Sequence, residues 1–359
     1  MVFKAALVIA ALLVVHASCF KDSNPKTYSI NLDLPPEQRW KEVALDNAEG
    51  ILNLVKEIKA MVPPGTVDLV SLIGQDVEKY IPYPYNLEIV GITESIKGLT
   101  VGELILGNTL YEVTAFGHGG KPEAKACTSI VAETLNGTIY HARNLDYNFG
   151  NILRGLTIVV NFQKGGKTVY TGTTFAGMVG LLTGQKPHGY TITLDERDQG
   201  DWWMNALEAL LAGTHGVSAL LIRDTLADPD MTFDEAVRVL ADKPLIAPSY
   251  IIIGGTTARQ GAVITRDRLA AVDLWMLDAF NGRWFLVETN YDHWVPPPSS
   301  DNRRDPAIKA MNELTRDSLG WGGLYEVLST PPVLNNGTMY TVIMSAHLPS
   351  IYTTWIRTP

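Results

Sequence analysis

Cys127 heads a β-prone run, Ala126-Cys127-Thr128-Ser129-Ile130-Val131-Ala132, and a second run follows it, Tyr140-His141-Ala142-Arg143-Asn144-Leu145-Asp146-Tyr147. Leu135-Asn136-Gly137 lies between them. Asn-Gly between two β-rich runs is the strongest short hairpin signal. The hairpin folds the second run back on the first and brings Arg143 and Asp146 within reach of Cys127. A cation beside a thiol lowers its pKa and favours the thiolate. A carboxylate near an ammonium orients it through a charge-assisted hydrogen bond. These parts form a nucleophilic site if Cys127 becomes a new N-terminus, because its own α-amine then serves its thiol as base. The competing readings are ordinary ones. Cys127 can be a small buried hydrophobe, and Arg143 with Asp146 a surface ion pair three residues apart.

The chain of 359 residues holds two Cys, and the first sits in a secretion signal. Lys4 is the charged flank, Ala5 to Val15 an unbroken apolar run, and Ala17-Ser18-Cys19 a small-residue cleavage site before Phe20. That run is too short to cross a bilayer, which needs about 20 residues. Loss of residues 1–19 leaves Cys127 as the only thiol, in a secreted protein where thiols normally pair. Asn136-Gly137-Thr138 and Asn336-Gly337-Thr338 are glycosylation sequons that suit this route. A mature protein that is soluble or peripheral to a membrane is expected.

Other chemistries lack the residues to carry them. The seven His are scattered, with no H-E-x-x-H and no Cys/His ligand spacing, so no metal is expected. Without G-x-G-x-x-G or a P-loop, no nucleotide cofactor is expected either. The G-x-S-x-G elbow of serine hydrolases and the C-G-S-C-W signature of papain-like enzymes are both absent. A net charge of −9 without a Lys/Arg cluster argues against a nucleic-acid partner. With 46% hydrophobic and 19% charged residues, the chain is a folded one.

Residues 20 to about 115 read as helical. Pro35-Pro36-Glu37 opens a helix from Gln38 to Met61, and Pro63-Pro64-Gly65 stops it. Further helices are expected over Val67–Tyr80, Leu87–Lys97 and Gly102–Thr114. Past His118-Gly119-Gly120 the pattern turns strand-like, at Leu156–Phe162, Thr168–Thr174, Tyr190–Leu194, Tyr250–Ile253, Gly261–Thr265, Ala271–Met276 and Trp284–Glu288. Helices intervene at Trp202–Leu211, Val217–Thr225 and Thr232–Leu240, the last opened by the capping box Thr232-Phe233-Asp234-Glu235. Strands, then helices, then strands indicate an α+β fold of antiparallel sheets layered with helices.

Several separated stretches, in order, carry a resemblance: Cys127–Val131, His141–Tyr147 with Phe149-Gly150-Asn151, Thr171–Phe175, Asp195-Glu196-Arg197-Asp198 and Val287-Glu288-Thr289-Asn290-Tyr291-Asp292. The chain resembles the choloylglycine-hydrolase branch of the N-terminal nucleophile hydrolases. Within it, the resemblance is to the acid amidases of N-acylethanolamines and their relatives, the acid ceramidases. The resemblance implies an αββα sandwich of antiparallel sheets. It implies cutting between Ala126 and Cys127 into a helical α-chain, residues 20–126, and a catalytic β-chain, residues 127–359. Cys127 would be the nucleophile, Arg143 and Asp146 would position its thiol and α-amine, and Asn290 would donate to an oxyanion. Glu196 would support the Cys127 region, and Arg303 would be a guanidinium near the site. The implied setting is the lysosome. The implied substrates are fatty-acid ethanolamides such as palmitoylethanolamide. A ceramidase-like hydrolase of N-acylsphingosines or a non-catalytic lipid binder are the alternatives. Acid ceramidase joins its chains by a disulfide, which a single mature Cys cannot form. Leu182 stands where the family usually has Trp, near the acyl channel, for which Met178 and Val179 are further lining candidates. The apolar helix Val67–Tyr80 is a candidate for peripheral membrane contact, with Leu69, Val70, Leu72 and Ile73 covering more than one face. At acid pH a free α-amine, with its usual pKa near 7.7–8.0, works only if burial lowers it or a thiolate–ammonium pair forms beside Arg143.

Overall fold

The computed structural model describes residues 21–61, 66–109, 127–147, 149–197 and 216–359, without the side chains of 61, 66, 67, 69, 70 and 73. The expected signal segment, the side of the scissile bond formed by Ala126, the helix expected over Trp202–Leu211 and the end of the one over Gly102–Thr114 lie outside these residues.

Two sheets form the frame, and their strands run β1 (Lys21–Ser23), β2 (Lys26–Asn31), β3 (Cys127–Glu133), β4 (Ile139–Asp146), β5 (Thr157–Lys164), β6 (Lys167–Phe175), β7 (Thr183–Gln185), β8 (Thr191–Glu196), β9 (Ser249–Gly254), β10 (Gly261–Arg266), β11 (Ala271–Met276), β12 (Phe285–Glu288), β13 (Thr338–Met344) and β14 (Tyr352–Thr358). The helices are α1 (Pro36–Arg39), α2 (Lys41–Asp46), α3 (Ala48–Met61), α4 (Thr66–Gln75), α5 (Val77–Tyr80), α6 (Tyr85–Ser95), α7 (Val101–Asn108), α8 (Gly150–Leu156), α9 (Ser218–Ala227), α10 (Phe233–Asp242), α11 (Arg304–Leu314) and α12 (Trp321–Leu328). One sheet has the order β1-β14-β13-β4-β3-β12, the other β11-β10-β9-β8-β7-β6-β5-β2. Their pairings are antiparallel except for β2 beside β5. Helices α11 and α12 cover the outer face of the first sheet through Ala307, Met311, Leu324 and Leu328 against Ile130, Ala142 and Ile343. Helices α9 and α10 share the main core with Ile192, Leu194, Ile251 and Ile253 of the second sheet. Val131, Ile139, Tyr250, Ile252 and Val263 pack together between the sheets. This is the expected αββα sandwich.

The hairpin forms where Asn-Gly predicted it. Gly137 takes φ +83°, and a Cβ there would lie 3.1 Å from Ala258 Cβ, so the turn is a glycine position. Strand β4 runs on to Asp146, which carries Arg143 and Asp146 inside it. The capping box of α10 forms, with Thr232 and Glu235 satisfying each other's backbone.

The N-terminal region departs from the helical expectation. Strands β1 and β2 add one edge strand to each sheet. Tyr28 and Ile30 of β2 are buried between exposed neighbours, the period-two alternation of a half-covered strand. The helix expected from Gln38 to Met61 is three pieces. Trp40 leaves helical geometry at φ −101°, ψ 6°, held by its Nε1–H on Glu88 at 2.7 Å. The Asn47 side chain donates to the Val43 carbonyl at 2.8 Å, a local bond that competes with helix continuation. The segment expected as Val67–Tyr80 is likewise two helices, α4 and α5, parted at Asp76.

Candidate active site

Strand periodicity builds the site. Residues two apart share a face. On β3 the inward set is Cys127, Ser129 and Val131; on β4 it is His141, Arg143 and Leu145; the two strands pair as Cys127 with Leu145, Ser129 with Arg143 and Val131 with His141. Across the gap between sheets, β8 presents Thr191, Thr193 and Asp195 to them. A polar seam therefore runs through the sandwich, with the thiol at its end.

Arg143 is fully buried and spans the sheets. Its Nη2 donates to Cys127 Sγ at 3.1 Å, to the Leu194 carbonyl at 3.1 Å and to Asp195 Oδ1 at 3.1 Å. Its Nη1 donates to the Leu182 carbonyl at 2.9 Å and to Thr183 Oγ1 at 3.0 Å. Asp146 is also buried and accepts from Asn335 Nδ2 at 2.7 Å through Oδ2. Its Oδ1 has no hydrogen-bond partner among the described residues. The surface-pair reading of Arg143 and Asp146 thus fails: both are inside, and Arg143 pairs with Asp195.

Asn290 and Arg303 close the site from β12 and the start of α11. Asn290 follows the strand in the left-handed region, φ +72°, a conformation Asn tolerates better than other side-chain-bearing residues. Its Oδ1 accepts the Cys127 backbone N–H at 2.5 Å and Arg303 Nη2 at 3.1 Å, while its Nδ2 donates to the Glu196 carbonyl at 2.9 Å. Two donors on one side and an acceptor on the other fix the orientation of the amide. Expected as a donor alone, Asn290 here turns its oxygen toward the nucleophile's nitrogen and keeps one N–H on Glu196. Arg303 donates through Nη1 to the Cys127 carbonyl and to Thr128 Oγ1, and is held by Asp301 at 2.7 and 2.8 Å. Glu196 contributes its backbone carbonyl, and its side chain is buried. All six residues expected at the site, Cys127, Arg143, Asp146, Glu196, Asn290 and Arg303, thus lie in one neighbourhood. Met178, Val179 and Leu182 are core residues. Asn136 and Asn336 are exposed, as sequons require.

Asp195 stands in one of the resembling stretches, but its sequence context assigns it no role at the site. It touches Arg143 and Ser129 from the opposite sheet, and its signal was the alternation of Thr191, Thr193 and Asp195 with apolar Ile192 and Leu194. Burial raises Asp195 to about 6, against Arg143, the Ser129 hydrogen bond and Arg303. Burial also raises Asp146 to about 6, against Arg303 and the bonds from Thr338 and Asn335. Burial, with the Asp195 charge, holds Glu288 well above the ordinary carboxyl range. The Cys127 thiol is 3% exposed. Burial pushes it up to about 12; Arg143 opposes this, while Asp195, Asp146 and Glu196 add to it. The thiol is therefore shielded and protonated in this structure, with the Arg143 guanidinium in contact.

Known proteins match this chain along nearly its whole length. Residues 127–323 match the family described as linear amide C-N hydrolases, choloylglycine hydrolase family. Residues 23–83 match the model of the beta subunit of N-acylethanolamine-hydrolyzing acid amidase, so that family gives the label beta to the N-terminal part, here called the α-chain. The N-acylethanolamine-hydrolyzing acid amidase of Mus musculus is 45% identical over 357 residues, 99% of this chain and 95% of that protein. The Caenorhabditis elegans protein of the same name is 38% identical over 342 residues, 95% of each. The acid ceramidase of Bos taurus is 36% identical over 338 residues, 88% of this chain and 82% of the relative. A solved structure of the Caenorhabditis elegans ortholog of the amidase superposes with a TM-score of 0.59, covering 64% of this chain and 99% of that one. On this identity and coverage, the chain belongs to the choloylglycine hydrolase family of linear amide C–N hydrolases, as an amidohydrolase of the N-acylethanolamine-hydrolyzing acid amidase group.

Proposed function

We propose that the protein hydrolyses fatty-acid ethanolamides, such as palmitoylethanolamide, to a fatty acid and ethanolamine, with Cys127 as nucleophile after cleavage of the Ala126–Cys127 bond. The contact of Arg143 Nη2 with Cys127 Sγ at 3.1 Å carries this reading. Cleavage makes the Cys127 nitrogen an amine. Asp146 Oδ1 offers an acceptor for the ammonium form, and Asn290 Oδ1 already holds that nitrogen. The thiol sulfur attacks the amide carbon and its proton passes to the α-amine. The tetrahedral carbon collapses to a thioester as that proton moves to the departing amine nitrogen. Water then hydrolyses the thioester and releases the fatty acid. Asn290 Nδ2, which carries a second hydrogen, supplies the oxyanion donor.

Residues 20–126 and 127–359 remain together as two chains from one precursor, glycosylated at Asn136 and Asn336 and delivered through the secretory pathway to the lysosome. The near-complete burial of Cys127 in the single chain supports a cleavage-activated precursor. Acid incubation should yield a chain beginning Cys-Thr-Ser-Ile-Val, and Cys127→Ala should stay whole. Normal cutting of Cys127→Ala at that bond would assign the step to another protease. A panel of N-acylethanolamines and N-acylsphingosines, assayed on the cut protein, separates the amidase from the ceramidase reading.

A further inference from the structure

Asn290 is held from both directions along the chain. On one side stands β12, whose Glu288 pairs with Ser129 of β3. On the other side, two residues on, stands Asp292, which is caught by a guanidinium from the opposite sheet. Arg197 Nε donates to Asp292 Oδ1 at 2.8 Å and its Nη2 donates to Oδ2 at 3.0 Å, a two-point grip on the carboxylate. Tyr250 on β9 donates its hydroxyl to the same Oδ1 at 2.8 Å. Arg197, Asp292 and Tyr250 are all buried, so the pair is little screened by solvent. From the far side, Arg304 Nη1 donates to the Asp292 carbonyl at 3.1 Å.

The place of this pair gives it a consequence for the site. Arg197 follows Glu196, whose carbonyl accepts Asn290 Nδ2 at 2.9 Å. Two neighbouring links therefore cross from the end of β8 to the loop after β12. The first meets the amide of Asn290, and the second meets the backbone that carries it. Strands β8 and β12 belong to different sheets, so side chains rather than a strand ladder set their separation here.

Asn290 needs such a hold. Its φ of +72° lies in the sparsely populated left-handed region, which a residue keeps only while its surroundings enforce it. Freed at Asp292, the chain after β12 can relax, and Nδ2 leaves both the Glu196 carbonyl and the place where it meets an oxyanion. Arg143 beside the thiol is held separately, by Leu182, Thr183, Leu194 and Asp195. Resting on Asn290 as the oxyanion donor, we propose that Arg197, Asp292 and Tyr250 are positioning residues of this amidase. Their buried ion pair keeps Asn290 in its left-handed conformation and so aims the donor at the reacting carbon's oxygen. An ion pair that only joined the two sheets would act on the whole site alike. One that acts through Asn290 has no further effect on turnover once the Asn290 amide is gone.

The experiment is a double-substitution cycle on acid-matured protein, with kcat per mole of cut chain and KM read separately for a fluorogenic fatty-acyl amide. Arg197→Lys keeps the charge and loses the two-point grip. It should lower kcat by about ten- to a hundredfold, as a displacement of about 1 Å at a reacting group does, with KM changed by less than about threefold. In the Asn290→Ala background the same substitution should change kcat by less than about threefold. An equal fall in both backgrounds, a fall carried by KM, or no fall in either overturns the proposal. Tyr250→Phe removes one hydroxyl and keeps both the ring and the ion pair. It should lower kcat by about threefold, the effect of one neutral hydrogen bond, and this fall too should vanish in the Asn290→Ala background. If Arg197→Lys does not fold, Tyr250→Phe decides alone, and an unchanged kcat or an equal fall in both backgrounds overturns the proposal. An unchanged kcat in Asn290→Ala by itself overturns the oxyanion assignment, and the proposal with it. A fall in Asn290→Ala with undiminished further loss on Arg197→Lys overturns the proposal only.

Discussion

At Asn290 one side chain holds three parts of the site together: the Cys127 nitrogen, Arg303 and the Glu196 carbonyl. Its backbone sits at φ +72°, where the end of β12 must turn away from β3. Strain of this kind at a site is sustained only when surrounding bonds over-determine it, and three do. In the proposed mechanism, truncation removes the oxyanion donor and the anchor of the Cys127 nitrogen at once. Asn290→Ala should therefore lower kcat by ~10²–10³ with a smaller change in KM, since the donor acts mainly in the transition state. Steady-state kinetics on matured protein measure this, and an unchanged kcat would move the oxyanion site elsewhere. Arg303, which holds both Asn290 and the Cys127 carbonyl, depends on a two-point grip by Asp301 that a Lys could not reproduce.

At the scale of elements, the N-terminal part is tied to the catalytic part by strands and by one buried ion cluster. Glu88 on α6 accepts from Arg39 at 3.0 Å, from Trp40 Nε1 at 2.7 Å and from Arg223 Nη2 on α9 at 2.9 Å. Arg223 also donates to the Val179 carbonyl at 2.7 Å and lies 4.5 Å from the Phe162 ring. Removing one partner of a buried pair leaves the other charge uncompensated, which costs about 3–5 kcal/mol. Glu88→Gln should lower the melting temperature and loosen the two chains after cleavage, read by calorimetry and by gel filtration under native conditions. Retention of both chains with an unchanged melting point would mean that β1 and β2 hold the parts together unaided. Helix α4 is the other element with a role to test. Among the described residues no helix is long and apolar enough to cross a membrane, and Leu72 of α4 is exposed. A peripheral lipid contact there predicts that Leu72→Ser floats less with vesicles at pH about 4.5 than the wild type does. Equal flotation would direct the search to another surface.

The whole molecule carries an acid signature in its interior. Asp146 and Asp195 are raised to about 6 by burial, above the ordinary 3.8. Between those values the folded state holds protons that the unfolded chain has lost, so stability falls as pH rises through that window. Glu288 acts in the same direction. His141, lowered to about 3 from 6.5, acts in the opposite one: the unfolded chain takes its proton first on acidification. Asp224, also raised by burial, adds to them, so four carboxyls outweigh one imidazole. The exposed Asp46, Glu235 and Asp278 are shifted downward, but solvent screening leaves them little weight. The melting temperature should therefore be higher at pH about 4.5 than at about 7, with the fall lying between about 4 and 6. A melting temperature that rises across that window would show that these carboxyls ionise freely in the folded state.

Local chemistry was enough for the residues that announce themselves. Asn-Gly set the hairpin, and the hairpin set Arg143 near Cys127, because register follows from turn length and side-chain alternation. The capping box started α10, and the strand periodicities placed β9, β10 and β11 within a residue or two. The order of separated motifs identified the family before any distance was known. What the sequence could not decide were partners far away along the chain. The polar face of β8 is meaningful only because the opposite sheet brings Ser129, His141 and Arg143 against it, and nothing near Asp195 in sequence says so. The long helix broke at Trp40 because Glu88, 48 residues on, takes its indole hydrogen. Strand β2 escaped notice because its partner β5 lies more than a hundred residues further along the chain. A hairpin closes a short loop and is written in its turn, whereas a sheet-to-sheet contact depends on how two whole faces fill the space between them.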